Sequence, residues 1–516
     1  MAMTDTRPAP EAADAAPTEA AADARGFAGW VSTSDHRRIG RLFVGVSIAG
    51  LVLTAVTGLL LEAEGLAGGL DILKDGTFEQ IWTLHREALV LLWLVPLFLG
   101  VATAVVPRQV GSPEIAFPRG SATAFWGYVV SFGLLVAGYA ADGGATGSDE
   151  VGRDLYLLAL AALAVSLCVG LASVLTTILT MRAPGMTLLR APTFTWSVLV
   201  GGGLLLLTLP VLVGRVAVLF VTNHHGGDLG TDVLPAVDWL WSIPTVYLLA
   251  VPLAGVALEV VQVLSRRPLR MHAAGLVLLG LLGAVGVGAW AQDAERFDEL
   301  LYVAMAFAAI VPALALLGLA GDTLRNGSPR IAAPLVLSML GLLLLLLGAL
   351  AGAAQAIDAL DLAGTTWETG QLQLVGLGAG SLGAAAALWW WSPRIFGSAL
   401  GAGQGLLVAL LLAGGAVLAA VPNLVEGLVE DTPQMATDFD DEDASGVLNG
   451  ISAAGQALVA LGGILVLAEL LGAARRRDVD LDADPWGGHT LEWSTGPVEP
   501  VSSPTPLLRD EEEVTA

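Results

Sequence analysis

Residues 81–120 read IWTLHREALVLLWLVPLFLGVATAVVPRQVGSPEIAFPRG. His85 stands just inside an apolar run that ends at Val106-Pro107, and Arg108 and Arg119 lie in the polar stretch beyond. As a helix, a run of about twenty residues matches the thickness of a bilayer. An ionisable side chain on such a helix is costly to keep and marks a functional site by default. Neutral imidazole is also a common protein ligand to haem iron. The rest of the chain has to be searched for a partner to His85.

The composition places this stretch in a membrane protein. Of 516 residues, 55% are hydrophobic and only 14% charged, which fits a polytopic chain and not a soluble one. Apolar runs of bilayer length recur near 39–62, 82–107, 122–141, 154–181, 193–222, 239–264, 270–291, 297–320, 329–353, 371–391, 402–422 and 448–472. They predict an all-α protein of twelve transmembrane helices. With the amino terminus inside, the loops on that side hold Arg25, Arg37, Arg38, Arg41, Arg108, Arg119, Arg182, Arg190, Arg266, Arg267, Arg270, Arg325, Arg330, Arg394 and Arg475 to Arg477. The opposite loops are acidic, 426–445 most of all, with Lys74, Arg153 and Arg296 as their cations. This is the positive-inside pattern, with both termini cytoplasmic and the chain multi-pass in the plasma membrane.

The net charge is -24 and Lys74 is the single lysine, a composition that suggests a halophile. Cys168 is the single cysteine, so no intrachain disulfide or Cys-based metal site can form. It reads as a small core or lipid-facing residue. Residues 1–28 are rich in Ala, Asp, Glu, Pro and Thr and have no apolar core, so they read as a disordered tail and not a signal peptide. Residues 29–475 form the membrane domain. Residues 476–516 form a second polar, acidic tail ending near Asp510 to Glu513, and both ends are expected to be mobile.

Several boxes, taken in order, resemble subunit I of the haem–copper (cytochrome c) oxidases. Gly29–Leu61, GWVSTSDHRRIGRLFVGVSIAGLVLTAVTGLLL, is similar to that family's amino-terminal box and first helix. Residues 81–120 resemble its second helix with the Pro-Arg and Ala-Phe-Pro-Arg signatures. Thr193–Pro210 resembles its fifth helix, and Trp391-Ser392-Pro393-Arg394 the end of its tenth. The resemblance covers about residues 30–475 and implies twelve helices around two haems and a copper ion. It also implies six metal-binding histidines, of which only His85 remains. The copper histidine of the sixth helix falls on Ile243, the pair of the seventh on Gln292 and Asp293, and the two haem ligands of the tenth on Gln371 and Gln373. The arginine late in the first helix falls on Glu62, and the Pro-Arg-Arg before the twelfth is replaced by an acidic loop. A copper site needs several imidazoles or soft donors, so the oxygen-reducing centre reads as lost.

His85 then has two readings: ligand to a single haem, or a hydrogen-bonded relic near the outer surface. The second is favoured because adjacent Arg86 and Glu87 make the position more polar than a haem pocket. His224 and His225 read as solvated loop, His36 and His272 as interfacial and His489 as tail. Arg215 and Glu259 read as snorkelling at helix ends, and Trp239, Trp241 and Trp389 to Trp391 as suited to interfaces with water or protein. Expected, then, is a structural or docking subunit of a respiratory redox complex, partnered by other membrane or extramembrane subunits and by lipid, with no nucleic acid and no cofactor. The alternatives are a haem-binding electron-transfer subunit using His85, or a working cytochrome c or quinol oxidase.

Overall fold

The computed structural model describes residues 27–66, 73, 75–225, 233, 237, 244–290, 300–429, 444–476 and 484–494. Helix α1 spans His36–Glu64, and its first turn is capped by Asp35, whose carboxylate accepts from the Arg37 N–H at 3.0 Å. There follow α2 (Gly76–Gln109), α3 (Pro118–Ala140), α4 (Glu150–Thr180) and α5 (Thr193–His224). Next come α6 (Pro244–Leu264) and α7 (His272–Trp290). The last are α8 (Leu300–Asn326), α9 (Ala333–Gln355), α10 (Thr366–Ile395), α11 (Ala402–Val429) and α12 (Ala444–Arg475). Among the described residues ten of these are long and apolar enough to cross a membrane. The other two, α6 and α7, are apolar over the shorter stretches Leu248–Leu264 and His272–Gly286.

Chain neighbours pack side by side, α3 on α4, α4 on α5, α5 on α6 and α11 on α12, and α12 returns to α1. Two helices lie inside this arrangement. The apolar windows of α2 and α10 are buried throughout, whereas those of the other long helices leave a third or more of their residues on the outer surface. A helix apolar on all sides belongs in such an interior. Small residues allow the close approach this requires. A Cβ at Gly50 of α1 would run into the Leu92 backbone of α2, and one at Gly380 of α10 would meet a Leu94 methyl at 2.8 Å.

Both inner helices carry a π-helical turn midway, Ala88–Leu94 in α2 and Gln373–Gly380 in α10. In α2 the cause is Pro96, which has no N–H to give the preceding turn, and the Val95 N–H reaches back to the Val90 carbonyl. Trp93 of the first turn is tied to the residue just past the second, where its Nε1 donates to Ser381 Oγ at 3.2 Å. Such turns are rare and recur at functional sites.

At the other end of α10 two expectations fail and a third is narrowed. Trp389, Trp390 and Trp391, suited to water or to protein, are buried against protein. Part of the carboxyl-terminal stretch is not a free tail: residues 484–494 pack against these tryptophans. Trp486 stacks on Trp390 at 5.5 Å with the rings 18° apart, and Trp493 meets Trp390 edge-on at 5.5 Å. Trp486 Nε1 donates to the Trp390 carbonyl at 3.0 Å, and Arg330 Nη1 donates to the Pro485 carbonyl at 3.0 Å. Two aromatic side chains bury enough apolar area to order a short polar segment. Glu259 does not snorkel either; it is 1% exposed and receives Gln109 Nε2 at 2.6 Å and the Phe194 N–H at 3.1 Å.

Candidate functional site

His85 lies in the first half of α2, and its ring crosses to α1. Nδ1 is 3.0 Å from the Thr54 carbonyl and 3.1 Å from the Thr57 hydroxyl. The Thr57 hydroxyl is itself a donor to the Leu53 carbonyl at 2.8 Å. The proton therefore sits on Nδ1, and Nε2 keeps its lone pair. That is the tautomer of a metal-ligating histidine held by a backbone carbonyl.

The ring lines a cavity of about 90 Å³ between α1, α2, α10, α11 and α12. Its walls are mixed. Phe78, Trp82, Leu89, Leu372 and Leu377 are apolar, while Glu62, Arg86, Gln373, Asn423, Asn449 and Gln456 are polar. Most of the polar groups are committed to one another. Asn423 Nδ2 donates to Gln373 Oε1 at 3.1 Å and to the Ala419 carbonyl at 2.9 Å. Glu62 hydrogen-bonds to Ser452 and to Gln373. Gln456 and Asn449 are the exceptions: both polar atoms of the Gln456 amide, and Asn449 Nδ2, are buried without a partner.

Arg86 lines the cavity and lays its guanidinium over the Trp82 ring, 4.4 Å from the centroid. Glu87, which was expected to make the same site more polar, turns the other way. It is fully enclosed between α3 and α4, accepting from Tyr156 Oη at 2.6 Å and Tyr139 Oη at 3.1 Å. The Tyr139 hydroxyl also lies 3.1 Å from Thr83 Oγ1, and the loop beyond is pinned where Gln80 Nε2 donates to Asp142. Hydrogen bonds from Ser148 and Gln80 hold the Asp142 carboxyl below the usual carboxylate range.

Of the positions where the resemblance puts metal ligands, Gln371 and Gln373 are both buried on α10. Only Gln373 lines the His85 cavity. Ile243, Gln292 and Asp293 lie outside the described residues. His224 Nε2 pairs with Asp154 at 2.9 Å on the surface, and Asn223 donates to the same carboxylate at 3.1 Å. His272 hydrogen-bonds to the Leu189 and Ala191 backbones. Neither approaches His85 as a second ligand. Among the described residues no group of three or more His, Cys, Asp or Glu converges as a metal site. The amides of Asn423, Asn449 and Gln456 carry no sequence signal, because a lone Asn or Gln in an apolar run resembles any other satisfied polar residue.

A membrane bundle with a mixed polar and apolar cavity beside its two enclosed helices, entered by a single imidazole, is the class that these observations define. A family model described as "Cytochrome C and Quinol oxidase polypeptide I" matches residues 38–458, and the chain belongs to that family. It is 29% identical over 497 residues to a protein of Streptomyces avermitilis named putative cytochrome c oxidase subunit 1-beta, covering 90% of this chain and 87% of that one. It is 28% identical over 501 residues to cytochrome c oxidase subunit 1 of Corynebacterium glutamicum, covering 91% and 85%. A solved haem–copper terminal oxidase dimer has the same fold, with a TM-score of 0.67 at 14% identity over 85% of this chain and 84% of that one.

Proposed function

We propose that this subunit I-like membrane protein has lost the haem–copper oxygen-reducing centre and serves a respiratory complex mainly as a structural or docking subunit. In this reading it crosses the membrane twelve times with both ends cytoplasmic, and its partners are other subunits of the complex. The observation that carries the reading is the state of Gln373. Where the family resemblance places a haem ligand, this chain has an amide whose oxygen accepts from Asn423 and whose side chain also bonds Glu62. A haem needs more room than about 90 Å³; pockets for ligands of that class run to about 300–1,000 Å³. Glu62 would also set a carboxylate against the propionates. The residues present thus suit one axial ligand and not the rest of a haem site.

His85 supports a second reading, a single haem in an electron-transfer subunit, since its tautomer leaves Nε2 for a metal. Pyridine haemochrome spectra with copper analysis of the purified protein separate the two. Neither haem nor copper is the expected result. One haem per chain supports the second reading, and two haems with copper overturn both.

A further inference from the structure

Glu492 of the docked carboxyl-terminal segment and Glu259 of α6 are 2% and 1% exposed. Gln109 Nε2 donates to both, at 2.6 Å to Glu259 Oε1 and 2.9 Å to Glu492 Oε1. The amide is oriented by the Thr195 hydroxyl, which donates to Gln109 Oε1 at 2.7 Å. Glu259 Oε2 takes the Phe194 N–H at 3.1 Å, and Trp391 Nε1 donates to Glu492 Oε1 at 3.3 Å. The two carboxyl groups also lie within hydrogen-bonding reach of each other. Glu492 Oε2, however, is buried and has no donor.

An ionised carboxylate has no hydrogen to offer its neighbour. Two such charges in contact in a low-dielectric interior repel strongly. Arg394 of α10 is the cation whose field reaches Glu492; it also faces Asp484, and Arg37 and Arg108 lie near it in turn. Gln109 of α2, Thr195 of α5 and Thr490 of the segment itself add neutral groups. A single proton between the carboxyls removes the repulsion and supplies the donor that Glu492 Oε2 lacks. Burial accordingly pushes the Glu492 carboxyl up from its ordinary range.

We propose that Glu259 and Glu492 form a binding site for one proton, and that this proton fastens residues 484–494 to the end of the bundle at Trp390. The segment then follows the proton activity of the compartment on that side, independently of any group bound at His85. The sign follows from linkage. The docked state holds the proton more tightly, so docking is complete at low pH and is lost as pH rises through the raised value of the pair.

The test is amide hydrogen exchange of peptides spanning 484–494 in the full chain in lipid nanodiscs, corrected for intrinsic exchange, over about pH 4 to 9. Protection in the native sequence should fall by up to tenfold per pH unit between the ordinary carboxylate range and the raised value at Glu492, and level off above it. Glu492→Gln and Glu259→Gln keep the shape and bring an N–H donor, and each should flatten the profile. Infrared spectra of the native chain should show a carboxylic-acid C=O band that fades over the same range. Protection that ignores pH, or an unchanged slope in both variants, overturns the proposal. Where the variants fold poorly the infrared titration decides, and a band that does not fade in step with protection overturns it.

Discussion

The two ends of α2 meet their polar neighbours differently. At the His85 end, amides of α10, α11 and α12 surround a space of about 90 Å³, and Gln456 and Asn449 reach it with unpaired atoms. At the Gln109 end the chain fills the space itself, with Trp486 and Trp493 stacked on Trp390 and two carboxyls sharing one amide. A polar site with room can take up water or a small molecule to complete its hydrogen bonds. A polar site already filled can respond only by gaining or losing a proton. The same fold thus holds one site whose chemistry is decided by what enters and one whose chemistry is decided by pH.

Four substitutions put this contrast to the test. The largest effect is expected of Trp390→Ala. It removes a fully buried indole from between two partners, which typically costs about 3–5 kcal/mol. Thermal unfolding in nanodiscs should show the loss, and exchange should show 484–494 released at every pH; a stable variant with the segment still protected would refute the packing account. Tyr156→Phe comes next, because it strips the 2.6 Å donor from buried Glu87. A loss of about 1–3 kcal/mol is expected, while the His85 cavity, on the other side of α2, should be unchanged in any ligand-binding assay.

Gln456→Leu is the informative case. Its amide has no partner, so removing it should leave stability unchanged or slightly raised. A loss above about 1 kcal/mol would mean that water or a ligand satisfies the amide in the assembled protein. Asp142→Asn should have the smallest effect. The Asp142 carboxyl is held low by Ser148 and Gln80, so its contribution is complete above the ordinary carboxylate range and fades as pH falls through the lowered value. The variant should flatten the acid limb of the stability–pH curve and do nothing near neutrality. An unchanged acid limb would show that these bonds do not persist in water.

Much of the membrane architecture could be read from the sequence because hydrophobic length is a strong signal. The runs at 82–107 and 371–391 fall within the two enclosed helices. The amides around His85 were not legible, since only packing brings Asn423, Asn449 and Gln456 to one cavity. The tryptophans left water and protein open, because Trp suits a wet interface as readily as a core. Residues 484–494 misled because a short Asp-, Gly- and Pro-bearing segment gives no periodic signal. Its order rests on contacts with residues more than ninety positions away, Trp390 among them.

The π turns carry a consequence for how this chain can change. Each inserts one residue into its helix, which rotates everything before it by about 100° relative to everything after. The face that α2 shows at His85 and the face it shows at Gln109 are therefore set independently. Deleting one residue within Ala88–Leu94 would restore the ordinary pitch and swing His85 away from its cavity while Gln109 stayed in place. Such joints let one end of a buried helix drift in sequence while the other keeps its register.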